Sequence, residues 1–82
     1  MEKRIGNVTH YFDRIGVAVL DLEDGLKLGD TIHITGHRTD LLQRVSSMEI
    51  EHQKMQAVSA GADVALKVDE EVREGDKIYR VT

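Results

Sequence analysis

The feature that most constrains the fold is a period-two alternation of apolar and polar residues in short runs, separated by Gly, Asp and Asn. This alternation is typical of β-strands with one buried face, because successive side chains point to opposite faces of a sheet. One helical turn is the most that the sequence predicts, at Met55 and Val58, ended by Gly61. The predicted strands are Arg4–Phe12, Gly16–Leu22, Thr31–Gly36, Leu41–His52, Val64–Val68 and Lys77–Val81.

Residue parity within each run predicts which side chains are buried. In the fourth run Val45 lies on the opposite face from Met48 and Ile50, so a bulge or bend is expected near Ser46 and Ser47. In the third and fifth runs the predicted inward residues are Ile32, Ile34, Val64, Leu66 and Val68.

Six short strands with turns between them favour a closed β-barrel over an open sheet, because closure removes exposed strand edges. A chain of 82 residues is expected to form one domain, spanning residues 1–82. Aromatic residues make up only 4% of the chain, so its core must consist mainly of Val, Ile, Leu, Ala and Met.

Composition narrows the class of protein further. The chain has no Cys, which excludes disulfides and thiolate metal sites and favours a cytoplasmic location. No apolar run approaches the roughly 18 residues of a membrane span, and the first ten residues do not resemble a signal peptide. The formal net charge of -4 argues against a broad basic field for nucleic acid, although a small local contact site is compatible with it.

A Gly-Asp pair occurs twice, at Gly29–Asp30 and Gly75–Asp76, each followed by one residue and then Ile. Gly adopts positive φ at low cost, and an Asp side chain can accept hydrogen bonds from nearby backbone N–H groups. Both pairs are therefore interpreted as turns that precede a strand rather than as ligand or metal sites. The echo is too short to be an internal repeat of the sequence.

Four motifs follow one another along the chain, and together they carry a resemblance. The residues are Leu26, Lys27, Gly29 and Asp30; Val45, Ser47, Met48 and Glu49; Ala60, Gly61, Asp63, Val64 and Leu66; and Arg73, Gly75 and Asp76. From about residue 5 to residue 79 the chain resembles the second domain of translational GTPases, of the elongation factor Tu type, and small free-standing elongation-factor-like proteins. The resemblance implies a closed six-stranded Greek-key β-barrel. The GTPase domain and its phosphate loop are missing, so neither GTP nor any other cofactor is expected.

The same resemblance implies a binding site at Glu49 and His52, where the family holds the 3′ end of aminoacyl-tRNA. The family has Arg at the position of His52, and neutral His donates one hydrogen bond where Arg offers a fixed fork. A spacing of three puts the two side chains on opposite faces of a strand unless a bulge re-aims one. If the site exists, both should lie on one rim, beside a shallow pocket walled by residues 53–63. The alternative is that both are solvated strand residues.

A second candidate binding segment is poor in acidic residues and contains His33, His37, Arg38 and Arg44. A metal site there would need a further ligand, for which Asp40 is the nearest candidate. Surface histidines explain the pattern more simply, so no metal is predicted.

No catalytic constellation is visible, because none of Ser46, Ser47 and Ser59 lies in a nucleophile elbow. Together with the missing GTPase domain, the resemblance implies a non-enzymatic binding module that contacts RNA, a ribosomal component or a translation-related protein. The alternative is a detached accessory or docking domain of a separately encoded enzyme, which would need an exposed apolar patch.

Overall fold

The computed structural model describes the whole chain, Met1 to Thr82, as an all-β structure without a helix. The all-β class predicted from the sequence is confirmed. No element of the chain is a helix long and apolar enough to span a membrane. The strands are β1 (Glu2–Phe12), β2 (Val17–Leu22), β3 (Leu26–Lys27), β4 (Thr31–Thr35), β5 (Asp40–Arg44), β6 (Met48–Ile50), β7 (Gln53–Met55), β8 (Ala57–Val58), β9 (Asp63–Lys67) and β10 (Lys77–Val81).

Eight strands form one antiparallel sheet in the order β5-β4-β10-β1-β2-β9-β6-β7, and β3 pairs with β8 separately. The edges β5 and β7 do not pair, so the predicted closed six-stranded barrel is wrong. The fourth predicted strand is in fact two, because the chain leaves the ladder after β5. There the N–H of Val45 donates to the carbonyl of Asp30 at 2.8 Å, and its carbonyl accepts from Gly29 N–H at 2.9 Å.

A buried side chain takes the place of ladder hydrogen bonds where edge strand β5 approaches the end of β9. Gln43 is only 6% exposed. Its Nε2 donates to the carbonyl of Lys67 at 3.1 Å, and its Oε1 accepts from the N–H of Asp69 at 2.8 Å. A buried amide needs such partners, since leaving it unsatisfied costs about 1–3 kcal/mol. The sheet is thus held together at this seam by one side chain rather than by strand pairing.

The core lies on one face of the sheet and contains seventeen buried apolar residues. The predicted inward parity of the third and fifth runs is confirmed, because Ile32, Ile34, Val64 and Leu66 are fully buried and Val68 nearly so. Val45 and Met48 are both buried despite their opposite parity. The predicted bend between them is the reason, since the non-strand residues 45–47 allow both side chains to face inward.

The predicted helical turn at Met55 and Val58 is wrong. β7 pairs with β6, and β8 pairs with β3, so neighbouring strands satisfy the backbone of this segment. Gly61, at φ 87°, lies in a turn between β8 and β9 rather than at a helix end. Long-range pairing has overridden a weak local preference.

The two Gly-Asp pairs form the same turn, as predicted. Gly29 and Gly75 have φ of 90° and 91°. Asp30 N–H donates to the carbonyl of Lys27, and Asp76 N–H to that of Arg73, both at 3.1 Å. Each Asp carboxylate in turn accepts from the backbone N–H three residues earlier, at 3.0 Å for Asp30 and 2.8 Å for Asp76.

The similarity of the turns extends into the strands around them. Gly75 N–H donates to the carbonyl of Val8, and Val8 N–H donates to the carbonyl of Asp76, both at 2.8 Å. The first turn exchanges two hydrogen bonds with Val45 in the same way. The strands after the turns, β4 and β10, pair with each other symmetrically about His33 and Tyr79. The unit β4–β5 and the unit β10–β1 therefore share the same turn and the same antiparallel arrangement, a similarity that the sequence alone does not reveal. The second unit runs across the chain termini, which hydrogen bond to each other through Met1 and Thr82.

Candidate functional site

The most apolar concavity of the molecule lies on the outer face of β2, β9 and β6, opposite the core. Its volume is about 390 Å³. We call it the outer-face pocket. Its lining residues are Phe12, Ile15, Val17, Ser47, Glu49, His52, Ala65 and Lys67.

One wall of the outer-face pocket is the turn between β1 and β2. The carbonyl of Phe12 accepts from the N–H groups of Ile15 and Gly16, and Gly16 closes the turn at φ 65°. Phe12 is 46% exposed and Ile15 59% exposed. They are two of only five large apolar side chains exposed on the molecule, so this turn presents apolar surface beside an already apolar floor.

The opposite rim is the tight turn between β6 and β7. Ile50 pairs with Gln53, so Glu51 and His52 are the two turn residues, with φ of 51° and 66°. Positive φ at both positions is typical of a type I′ hairpin turn. This turn, rather than a bulge, brings His52 to the same pocket as Glu49. The predicted wall from residues 53–63 is wrong, since the wall comes from the turn between β1 and β2. That Glu49 and His52 bind a ligand stays a prediction.

Two opposite charges stand at the outer-face pocket without pairing to other charges. None of the salt bridges of the chain includes Glu49 or Lys67. The Nζ of Lys67 donates to the carbonyl of Ile15 at 2.8 Å, which secures the apolar turn and leaves further N–H donors. Lys54 lies directly across the ladder from Glu49 but forms no salt bridge with it. The pocket therefore combines an apolar floor with a carboxylate acceptor and an ammonium donor.

Ser47, Glu49 and His52 are residue types that could form a nucleophilic triad, and all three line the outer-face pocket. A triad requires hydrogen bonds from nucleophile to base and from base to the orienting carboxylate. The histidine ring that forms hydrogen bonds in this chain is that of His33, not His52. Ser47, Glu49 and His52 line one pocket, and no hydrogen bond joins any two of them in this structure.

The second candidate binding segment, which contains His33, has acidic neighbours in the structure. Nδ1 of His33 lies 2.9 Å from Glu2, and its Nε2 lies 2.5 Å from Asp40. The hydrogen bond to Asp40, followed by that to Glu2, raises the pKa of His33 above its ordinary 6.5. Folding thus adds the distant carboxylate of Glu2 to that of Asp40, which already belongs to the segment, so His33 lies between two acids.

The remaining members of that group are dispersed. His37 lines a separate polar groove with Arg73, Glu74 and Lys77. Arg38 is exposed in the β4–β5 turn, and Arg44 is exposed at the end of β5. No three His, Cys, Asp or Glu side chains cluster as metal ligands would.

A further charged cluster joins β10 to the loop before β3. The carboxylate of Asp24 contacts Lys3 Nζ at 2.7 Å and Arg80 Nη2 at 3.1 Å, and it accepts from Gly25 N–H at 2.7 Å. The hydrogen bond from Lys3, then that from Gly25, lowers the pKa of Asp24 to about 2. The guanidinium of Arg80 also donates to the carbonyl of Gly25, so these contacts tie β10 to the loop before β3 and indicate a structural clamp.

Sequence reasoning missed the parts of the outer-face pocket supplied by Ile15 and Lys67. The sequence did contain a signal for Ile15, because an apolar side chain in a predicted turn is expected to stay on the surface rather than reach the core. Lys67 was correctly placed on the outward face of its strand, but parity alone does not show which loop covers that face.

Comparison with known proteins relates the chain to proteases. It is 38% identical over 76 residues to an uncharacterized protease of Methanocaldococcus jannaschii, an alignment that covers 92% of this chain and 19% of the relative. It is also 38% identical over 78 residues to a collagenase of Porphyromonas gingivalis, covering 93% of this chain and 22% of the relative. The chain thus spans about a fifth of the length of these relatives. No protein-family profile matches it.

A solved structure shares the fold. The C-terminal domain of a Geobacillus thermoleovorans protein assigned to the U32 peptidases superposes with a TM-score of 0.88 at 17% identity, over 95% of this chain and 91% of that domain. A selenomethionine variant of the same domain gives 0.87 at 18% identity, over 93% of this chain and 96% of that one.

These relatives overturn the predicted resemblance to translation factors and the translation-related function drawn from it. The motifs that carried the resemblance include two Gly-Asp turns and inward-facing strand residues. Such motifs report how a small β-structure turns and buries its core, and unrelated functions share these requirements. The alternative, an accessory domain of an enzyme, agrees better with the relatives.

Proposed function

We propose that this chain is a non-catalytic accessory domain of a U32-type peptidase and that it contacts polypeptide through the outer-face pocket. The observation that carries the proposal is the share of each protein that the alignments cover. Nearly the whole chain matches about a fifth of proteins named protease or collagenase, which is the extent of one domain among several.

The surface of the chain supports a binding role rather than hydrolysis. Ser47 and His52 lack the mutual hydrogen bond of a nucleophile and its base, and no metal-ligand cluster could activate water. By contrast, Phe12 and Ile15 present apolar side chains to solvent on an ordered turn. Exposed apolar surface of this kind often marks an interaction site.

A domain exchange in the Porphyromonas gingivalis relative tests the proposal. In the first variant, the collagenase segment that matches this chain is deleted. In the second, this chain replaces that segment. In the third, this chain is added to the deletion variant as a separate polypeptide. Release of fluorescent fragments from labelled gelatin is measured in each case. The deletion is expected to lower hydrolysis, the replacement to restore it, and the 82-residue chain alone to release no fragments.

Two controls sharpen this test. A replacement carrying Phe12→Ser and Ile15→Ser should restore less activity than one carrying Leu42→Ser, which removes a side chain that is 64% exposed elsewhere. A deletion as active as the full-length collagenase would refute the accessory role. Hydrolysis by the chain alone, abolished by Ser47→Ala, would refute the non-catalytic assignment.

A further inference from the structure

We infer that the outer-face pocket binds an extended segment of the protein substrate, with one apolar side chain on its floor and one backbone peptide group between Glu49 and Lys67. The inference deepens the proposed function and rests on it for the source of the segment. Its chemistry rests on the pocket alone.

The size of the pocket favours a segment over a folded partner. A stable interface between two folded domains uses about 20–30 residues from each side. The outer-face pocket has eight lining residues and a volume of about 390 Å³, near the lower end of small-ligand pockets. A strand-like segment that inserts one side chain matches these dimensions, whereas a flat domain surface does not enter such a concavity.

The apolar lining specifies the inserted side chain. Val17 and Ala65 form the floor on adjacent strands, and Phe12 and Ile15 stand above it. An aliphatic or aromatic side chain placed there leaves water and also covers Phe12 and Ile15, which are about half exposed. A polar side chain would lose its hydrogen bonds to water without replacement.

The charges specify the rest of the ligand. The carboxylate of Glu49 only accepts hydrogen bonds, and the ammonium of Lys67 only donates them. A peptide backbone offers one N–H and one C=O per residue, so it is complementary to this pair. A hydrocarbon would desolvate both charges without compensation, and a phosphate dianion would accept from Lys67 but offers no hydrogen-bond donor to Glu49. Of these classes, polypeptide satisfies the apolar and the polar parts together.

Titration of the isotope-labelled chain with capped hexapeptides, followed by NMR, tests the inference. The probes are acetyl-Gly-Gly-Leu-Gly-Gly-Gly-amide and the same peptide with Ser in place of Leu, each taken to the order of 10 mM, because a single anchoring side chain gives weak binding. The Leu peptide should shift the amide signals of Phe12, Glu49 and Ala65 saturably. The Ser peptide should bind about tenfold more weakly, because no apolar side chain leaves water.

Matched variants separate the two halves of the pocket. Phe12→Ser with Ile15→Ser should weaken binding of the Leu peptide about tenfold. Glu49→Gln should weaken it about threefold, since a neutral acceptor replaces a charged one. The controls Leu42→Ser and Glu70→Gln, which alter exposed residues outside the pocket, should bind as the parent does.

The outcomes distinguish this inference from the proposed function. Equal binding of the Leu and Ser peptides, unchanged binding by the double variant, or shifts centred on His33 would each overturn it. The collagenase without its matching segment could instead cover Phe12 and Ile15 while no peptide binds. That result would assign the pocket to contact between domains and would also overturn the inference. Peptide binding alongside a failed domain exchange would support the pocket chemistry while refuting the accessory role.

Discussion

Replacing Gly75 by Ala isolates the conformational cost of one turn from any steric clash. Gly75 has φ 91°, and a Cβ added there meets no heavy atom within 4 Å. Gly29, at φ 90°, is its structural counterpart, and its added Cβ lies 3.7 Å from Arg44 Nη2, an ordinary contact. Both substitutions therefore test backbone strain in the same turn at two places in the fold.

The expected size of the effect follows from two opposing contributions. Left-handed backbone conformation costs an L-residue about 1–2 kcal/mol. Ala also reduces the conformational entropy of the unfolded chain, which offsets about 0.4–1 kcal/mol. Each variant should then lose about 1 kcal/mol of unfolding free energy, and the two losses should agree to about 0.5 kcal/mol because the turns match in φ and hydrogen bonding.

Urea denaturation followed by circular dichroism measures this loss. With a slope of about 1 kcal/mol/M for a chain of this size, each midpoint should fall by about 1 M. Gly75→Asn and Gly29→Asn serve as controls and should recover part of the loss, because Asn tolerates positive φ. Unmoved midpoints in both Ala variants, or Asn variants less stable than the Ala ones, would refute this account of the turns.

Three other predictions address the sheet, pH and nucleotides. Gly6→Ala places a Cβ 2.1 Å from the backbone carbonyl oxygen of Asp21, so β1 and β2 must move apart and the loss of stability should exceed that of Gly75→Ala in the same urea assay. The pKa of His33 is raised in the folded state. Its contacts with Glu2 and Asp40 therefore stabilise the fold fully below the ordinary pKa of 6.5, and this stabilisation is lost as the pH rises through the folded-state pKa. His33→Gln should therefore cost about 0.2–1 kcal/mol at pH 5.5 and less at pH 8.5, and a larger cost at the higher pH would contradict the sign. Calorimetry should detect no GTP or ATP binding, because the chain has no phosphate loop, and saturable micromolar binding would overturn this prediction.

The candidate site was only partly predictable. Glu49 and His52 came from a resemblance that the relatives do not support, yet both line the outer-face pocket. They meet because Glu51 and His52 adopt a two-residue turn with positive φ, for which the sequence lacks the usual Asn-Gly signal. The other wall depends on where the β1–β2 turn folds over the sheet, and no local pattern encodes that contact.

The sequence by itself determined the all-β class, the inward faces of the strands and the two Gly-Asp turns. Each depends on side-chain alternation or on sterics and hydrogen bonds within about four residues, so short-range physics is sufficient. Only the tertiary structure decided that the sheet stays open, that Gln43 bridges its seam, and that β10 pairs with β4 and β1. These features depend on which distant backbone groups satisfy one another, and many pairings are compatible with the same alternation. The outer-face pocket belongs to this second group, because β1, β2, β6 and β9 converge on it from distant parts of the chain.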